Sequence, residues 1–142
     1  MLYLGNQTRH LGAKILCGLI VSALWSAAES APKMIYGVYA PRSGEDFIRI
    51  TPRDNGKAGL ALKLYYANGH TCQLDKEGEW RGDHLLVVAD GLNENEPCKL
   101  EVFFSKGQAL LKDPGGRCAR VYCGSRGKLD DVSLPKRRPA RK

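Results

Sequence analysis

The sequence predicts an all-β domain, a small antiparallel β-barrel or sandwich of meander topology that holds two disulfides. Three observations support this prediction. Apolar and polar residues alternate in short runs, Gly, Asn and Pro stand between the runs, and no long stretch repeats its apolar residues at the helical period. Short strands separated by tight turns are typical of antiparallel barrels and sandwiches.

Eight segments have the composition of strands. The alternation is clearest where Ile48 and Ile50, and then Leu100, Val102 and Phe104, recur at every second position. This spacing places one face of a strand in the core and the other in solvent. The predicted strands are 34–40, 46–51, 60–67, 70–75, 78–82, 84–90, 98–104 and 109–113, and residues that favour chain reversal separate most of them.

The N-terminal segment has the order of features of a secretory signal peptide. Arg9 and Lys14 precede a short apolar run, and small residues follow it. A membrane anchor needs about 20 apolar residues, and this run is shorter, so we expect no membrane span. We predict a signal peptide over residues 1–30, cleaved after Ala28 or Ser30, and a periplasmic or secreted mature protein.

The remaining chain divides into one domain and a basic tail. Residues 31–135 are enough for a single β-domain with a modest core, and they contain 15 Lys and Arg against 14 Asp and Glu. Residues 136–142 contain five basic residues and no acid, so they carry most of the net charge of +7. We predict that this tail is disordered. Behind a signal peptide it would bind an anionic envelope polymer, lipid head groups or an acidic protein partner rather than nucleic acid. The alternative is a solvated end with no target.

The cysteines indicate a disulfide framework. Cys17 lies in the predicted leader, so an even set remains in an exported chain. Four cysteines allow three pairings, of which we favour Cys72–Cys98 with Cys118–Cys123, because each pair lies on neighbouring segments. The spacings typical of zinc sites and of redox-active cysteine pairs are absent, so we expect no metal and no cofactor.

The order of several motifs resembles that of small periplasmic proteins of Gram-negative bacteria, the lysozyme-inhibitor-type proteins and immunity proteins against cell-wall hydrolases. The resemblance covers roughly residues 36–135. It rests on GVY at 37–39, NGHTC at 68–72, CKLEVFF at 98–104, DPGGRC at 113–118 and YCGSRGKLDDVSLPK at 122–136. The segment CGSRG is similar to the loop motifs of the better-known lysozyme inhibitors only in Gly124, Ser125 and Arg126.

The resemblance implies a protein partner, a cell-wall hydrolase, and a partner-binding loop formed by Tyr122, Gly124, Ser125 and Arg126. A muramidase cleft holds two catalytic carboxylates. Arg126 could pair with one of them in bidentate fashion, Ser125 could donate a hydrogen bond, and Gly124 permits close approach. The opposing interpretation is a surface turn whose arginine faces solvent.

The sequence shows no arrangement of catalytic residues, so we do not expect an enzyme. The alternative function is a non-catalytic binding module for an anionic envelope polymer or a carbohydrate. Its contacts would come from the basic tail and from aromatic side chains, although aromatic residues on strands are more often part of the core. The aromatic candidates are Tyr65, Tyr66, Trp80 and Tyr122.

Segment 90–96 carries oxygen ligands of the kind that calcium takes but lacks the EF-hand spacing. We predict a polar turn there and leave calcium binding open.

Overall fold

Eight strands and one short helix form the structure, a computed structural model that describes residues 35–67 and 69–138. The predicted signal peptide lies outside the described residues. A 3-10 turn at Pro114–Gly116 leads into the helix α1, Arg117–Tyr122. The strands are β1 Gly37–Tyr39, β2 Phe47–Pro52, β3 Lys57–Tyr65, β4 Thr71–Arg81, β5 His84–Ala89, β6 Cys98–Ser105, β7 Gln108–Lys112 and β8 Val132–Pro135.

The strands form one antiparallel meander that closes almost completely on itself. Each strand pairs with the next along the chain, from β1 to β8. The end of β8 and the residues after it then return to the β1 segment: the Ala40 N–H donates to the Pro135 carbonyl at 2.9 Å, and the Arg137 N–H donates to the Val38 carbonyl at 2.8 Å. This arrangement confirms the predicted all-β, barrel-like fold and leaves the two end strands partly protected from edge-to-edge pairing.

The interior of the barrel is filled by the apolar residues that alternate along the strands. Ile48, Ile50, Leu100 and Val102 are each no more than 1% exposed, whereas the residues between them face outward or are only partly buried. Phe104, at the end of its run, is half-buried and packs against the core. The two-residue period therefore identified the inward-facing positions correctly.

Strand β4 is longer than the sequence predicts. Segments 70–75 and 78–82 were expected to be separate strands, but β4 runs without interruption through Gly78. A Cβ atom at Gly78 would lie 2.8 Å from the Leu86 carbonyl oxygen and 2.8 Å from a methyl carbon of Val87. Gly78 thus lets strands pack closely inside the barrel, and a glycine with this role is not a strand breaker.

Two elements are missing from the sequence prediction, α1 and β8. The helix has six residues and β8 has four. Neither is long enough to display a period in the sequence, so tertiary contacts decide their conformation. The helix packs against strands β4 and β6.

The favoured disulfide pairing is wrong. The structure joins Cys72 to Cys123 and Cys98 to Cys118. Cys118 lies inside α1 and Cys123 directly follows it, and five helical residues turn a side chain by about 140° around the helix axis. The two cysteines therefore face different strands, Cys118 towards β6 and Cys123 towards β4. Closeness in sequence was misleading because the intervening residues are helical.

The folded chain continues into the segment assigned to the basic tail. Lys136 pairs with Tyr39 across the closing seam, and its N–H donates to the Gly107 carbonyl at 2.7 Å. The hydrogen bond from the Arg137 N–H extends the contact by one more residue. The boundary of the domain thus lies beyond residue 135, and residues 139–142 lie outside the described part of the chain.

Candidate functional site

Residues 124–127 form a tight turn, which we call the GSRG turn, and Cys123 alone separates it from helix α1. The N–H of Gly127 donates to the carbonyl of Gly124 at 2.8 Å and closes it. Ser125 and Arg126 occupy the two central positions and are both exposed. Within residues 35–67 and 69–138, no carboxylate pairs with the Arg126 guanidinium. The tip of the turn therefore presents a hydroxyl and a cation to solvent.

Three attachments fix the base of the GSRG turn to the barrel. The disulfide Cys72–Cys123 joins the residue before the turn to β4. The N–H of Gly124 donates to the Thr71 carbonyl at 3.1 Å. On the far side of the turn, the Tyr66 hydroxyl donates to the Lys128 carbonyl. With one end tied to strand β4 and the other to Tyr66, which directly follows β3, the turn has little freedom to lose when a partner binds.

The Tyr66 side chain, which anchors the turn through Lys128, is partly buried, and this burial affects the pKa of its phenol. Tyr66 packs partly against the core, and the loss of hydration raises the pKa of its phenol above the ordinary value. A tyrosine phenol is protonated at neutral pH even at its ordinary pKa, and the upward shift extends to higher pH the range over which it can donate its proton to Lys128.

Both glycines of the GSRG turn are required by close approach. A Cβ atom at Gly124 would lie 2.2 Å from Nδ1 of His70. A Cβ atom at Gly127 would lie 2.6 Å from Cβ of Cys123 and 3.0 Å from Sγ of Cys72. At Gly124 such an atom would also lie 2.9 Å from Cγ and 3.1 Å from Cβ of His70, and at Gly127 the nearest atoms belong to the disulfide, so neither position has room for a side chain.

We expect Gly127→Ala to lower the free energy of unfolding by about 2 kcal/mol, as overpacking against a fixed group does. Urea denaturation of the oxidised protein measures the change. Ser125→Ala, in the same turn but exposed, is the matched control and should change stability by less than about 0.5 kcal/mol. Equal stability of the Gly127→Ala variant and the native protein would mean that the turn does not pack on the disulfide as described.

Tyr122 does not lie at the tip of the turn. It is the last residue of α1, is half-buried and packs against the core. The resemblance assigns four residues to a partner-binding loop. The structure places Ser125 and Arg126 at the exposed tip of the turn and Gly124 at its base, whereas Tyr122 belongs to α1. A contact of Tyr122 with a partner would use only the exposed part of its ring.

Asp113 supports this region, and sequence reasoning missed it. Its carboxylate is buried and accepts the N–H of Cys118 at 3.0 Å and the N–H of Ala119 at 2.8 Å, which are free donors in the first turn of α1. Gly115 and Gly116 have φ values of 75° and 63° and turn the chain back over this carboxylate. The DPGGRC motif is thus a helix-capping device. An aspartate close before a helix start was the available signal, but the helix itself was not recognised.

Most of the aromatic residues considered for carbohydrate binding are part of the core. Trp80 forms an aromatic cluster with Tyr36 and Phe104, at ring-centroid distances of 6.3 and 5.7 Å, and Tyr66 packs against the core as well. Tyr65 is 39% exposed, with the Lys63 ammonium 4.9 Å from the centre of its ring. The described surface therefore offers no row of aromatic rings from this set.

Segment 90–96 folds as a compact polar turn. The side chain of Asn93 accepts the N–H of Asn95 at 3.1 Å, and the Asn93 carbonyl accepts the N–H of Glu96 at 3.2 Å. Asp90 is bound to Lys76 at 3.0 Å. In the part of the chain that the structure describes, no three His, Cys, Asp or Glu side chains gather in a manner suited to a metal ion.

Two disulfides are typical of proteins that fold in an oxidising compartment. Among the described residues, the structure contains no helix of the length and apolarity needed to cross a membrane. Comparison of the chain with protein-family models, with curated proteins and with solved structures finds no match.

Proposed function

We propose that this protein is a periplasmic inhibitor or immunity protein that binds a lysozyme-type cell-wall hydrolase through the GSRG turn and has no catalytic activity of its own. The observation that carries the proposal is the combination of an exposed tip, Ser125 and Arg126, with a base anchored by the Cys72–Cys123 disulfide. A loop that fills an enzyme cleft needs both features, since flexible loops lose affinity through ordering.

The chemistry of the tip suits the cleft of a muramidase. Glycoside hydrolases of this kind place two carboxyl groups on either side of the scissile bond, and at least one of them is ionised. The Arg126 guanidinium can form two parallel hydrogen bonds with such a carboxylate, and the Ser125 hydroxyl can donate a third. The exposed Arg126 has no carboxylate partner within the described chain. It is available for an intermolecular pair.

The compartment supports the same function. Disulfides form and persist outside the cytoplasm, and the N-terminal segment has the sequence features of a signal peptide. Cell-wall hydrolases made by a Gram-negative cell or by its competitors act in the periplasm. An inhibitor located there protects the wall without needing a cofactor.

We expect the double substitution Ser125→Ala/Arg126→Ala to weaken inhibition strongly. Loss of a charge-assisted pair costs about 2 kcal/mol, and loss of a neutral hydrogen bond costs about 1 kcal/mol. Together they correspond to roughly a hundredfold rise in the inhibition constant. The measurement is residual lysis of cell walls by each of a panel of lysozyme-type muramidases, with increasing amounts of the inhibitor.

The matched control is Ser43→Ala/Arg117→Ala, which removes the same two side chains from exposed positions elsewhere. It should inhibit like the native protein, and thermal melts should show that both double variants are folded. Full inhibition by the Ser125→Ala/Arg126→Ala variant would exclude the GSRG turn as the binding site. Absence of inhibition of every muramidase by the native protein would reject the function itself.

A further inference from the structure

A basic cleft lies on the closing seam of the barrel, where three segments that are distant in sequence meet. It has a volume of about 840 Å³ and is bounded by the start of the β1–β2 loop, the β6–β7 turn and the chain after β8. This volume is within the usual range for ligand sites, roughly 300–1,000 Å³. The cleft shares no residue with the GSRG turn.

Backbone hydrogen bonds hold the three segments together. The Lys136 N–H donates to the Gly107 carbonyl at 2.7 Å, and the Ala40 N–H donates to the Pro135 carbonyl at 2.9 Å. The β6–β7 turn adopts left-handed backbone conformations at Lys106 and Gly107, with φ values of 48° and 73°. The walls of the cleft are therefore part of the folded barrel.

Half of the ten residues that line the cleft are cationic, and none of the ten is acidic. Within the described chain, the carboxylates form no ion pair with Arg42, Lys106, Arg137 or Arg138. The Lys136 ammonium stands 5.8 Å from the centre of the Tyr39 ring. The cations are Arg42, Lys106, Lys136, Arg137 and Arg138.

This distribution of charge is unfavourable for the isolated protein. Like charges that lie within a Debye length, about 8 Å at physiological salt, repel one another, and a cleft concentrates their field. A single small anion would compensate only part of the positive charge of Arg42, Lys106, Arg137 and Arg138. A chain of closely spaced anions would compensate most of this charge and would release the counterions of both molecules.

We propose that this seam cleft binds an anionic polymer whose phosphate groups follow one another closely. Arginine contributes three of the five cations, and its planar guanidinium matches the oxygens of a phosphate group. Uronic-acid chains carry one carboxylate per sugar ring, so they supply less negative charge to a cleft of this size. The site is independent of the proposed inhibitor function, because it uses other residues.

The test measures binding of short linear polyphosphate to the full mature protein by fluorescence anisotropy. Lys106→Gln/Arg137→Gln should weaken binding roughly tenfold and reduce the slope of log affinity against log salt by roughly two. The matched control, Lys99→Gln/Arg117→Gln, removes one lysine and one arginine from exposed positions outside the cleft. It should bind within about twofold of the native protein, because only contacting cations contribute to the slope.

Three outcomes would overturn the proposal. One is an equal loss of binding in the control variant, since that would make net charge the only determinant. Another is loss of binding on deletion of residues 139–142 with no loss in Lys106→Gln/Arg137→Gln, which would place the site in the tail. The third is equal or tighter binding of polyglutamate or of an oligothymidylate of matched charge, which would indicate a carboxylate polymer or a nucleic acid. Preference for polyphosphate together with a loss confined to the cleft variant supports it.

Discussion

Removal of the Cys72–Cys123 disulfide by the double substitution Cys72→Ala/Cys123→Ala should lower the free energy of unfolding by about 4 kcal/mol. The bridge joins residues 51 apart in sequence, and a crosslink that closes a loop of this length restricts the unfolded chain by about that amount. Both cysteines are replaced together because a single substitution would leave a free thiol to exchange with the second bridge. Urea denaturation without reductant gives the free energy directly.

The matched control for this prediction is Cys98→Ala/Cys118→Ala. That bridge spans 20 residues, so its removal should cost about 3 kcal/mol, less than the longer one. The first variant should also inhibit less well, since it loses one of the attachments of the GSRG turn, while the control keeps the turn fixed. Peptide mapping of the native protein checks the pairing itself: a peptide that joins Cys118 to Cys123 would show that the assignment is wrong.

Asp113→Ala should lower the free energy of unfolding by about 3 kcal/mol. The Asp113 side chain accepts two N–H groups at the start of α1, one of them from the buried Cys118. Alanine would leave the buried donor at Cys118 and the partly buried donor at Ala119 without this acceptor, and an unsatisfied donor costs roughly 1–3 kcal/mol. Thermal and urea unfolding measure the loss.

The comparison variant for this prediction is Asp113→Asn. Asparagine has nearly the same volume and retains one acceptor oxygen, so it should recover about half of the stability lost in the alanine variant. Because Asp113 holds the helix that carries Cys118 and is followed by Cys123, the alanine variant should also form more mispaired disulfides during oxidative refolding. Stability equal to that of the native protein in Asp113→Ala would show that the carboxylate does not cap α1.

The sequence alone was sufficient for the fold class and for most of the inward-facing positions. Ile48, Ile50, Leu100 and Val102 are buried as their two-residue spacing predicts, because alternation is a local property of an extended chain. The chain reverses between strands at residues 53–56 and 106–107, where residues that favour chain reversal stand in the sequence. The candidate site was located only as the segment CGSRG, with no indication of which of its residues would be exposed.

The tertiary structure decided the disulfide pairing, the closure of the barrel and the composition of both sites. Cys123 reaches Cys72 because α1 directs Cys118 towards β6 and Cys123 towards β4. Arg42, Lys106 and Lys136 line one cleft because the first and last strands join at a seam. Such contacts depend on the packing of segments that are remote along the chain. Single-sequence patterns report the local alternation and turn preferences of each segment, and those do not specify which distant segments will touch.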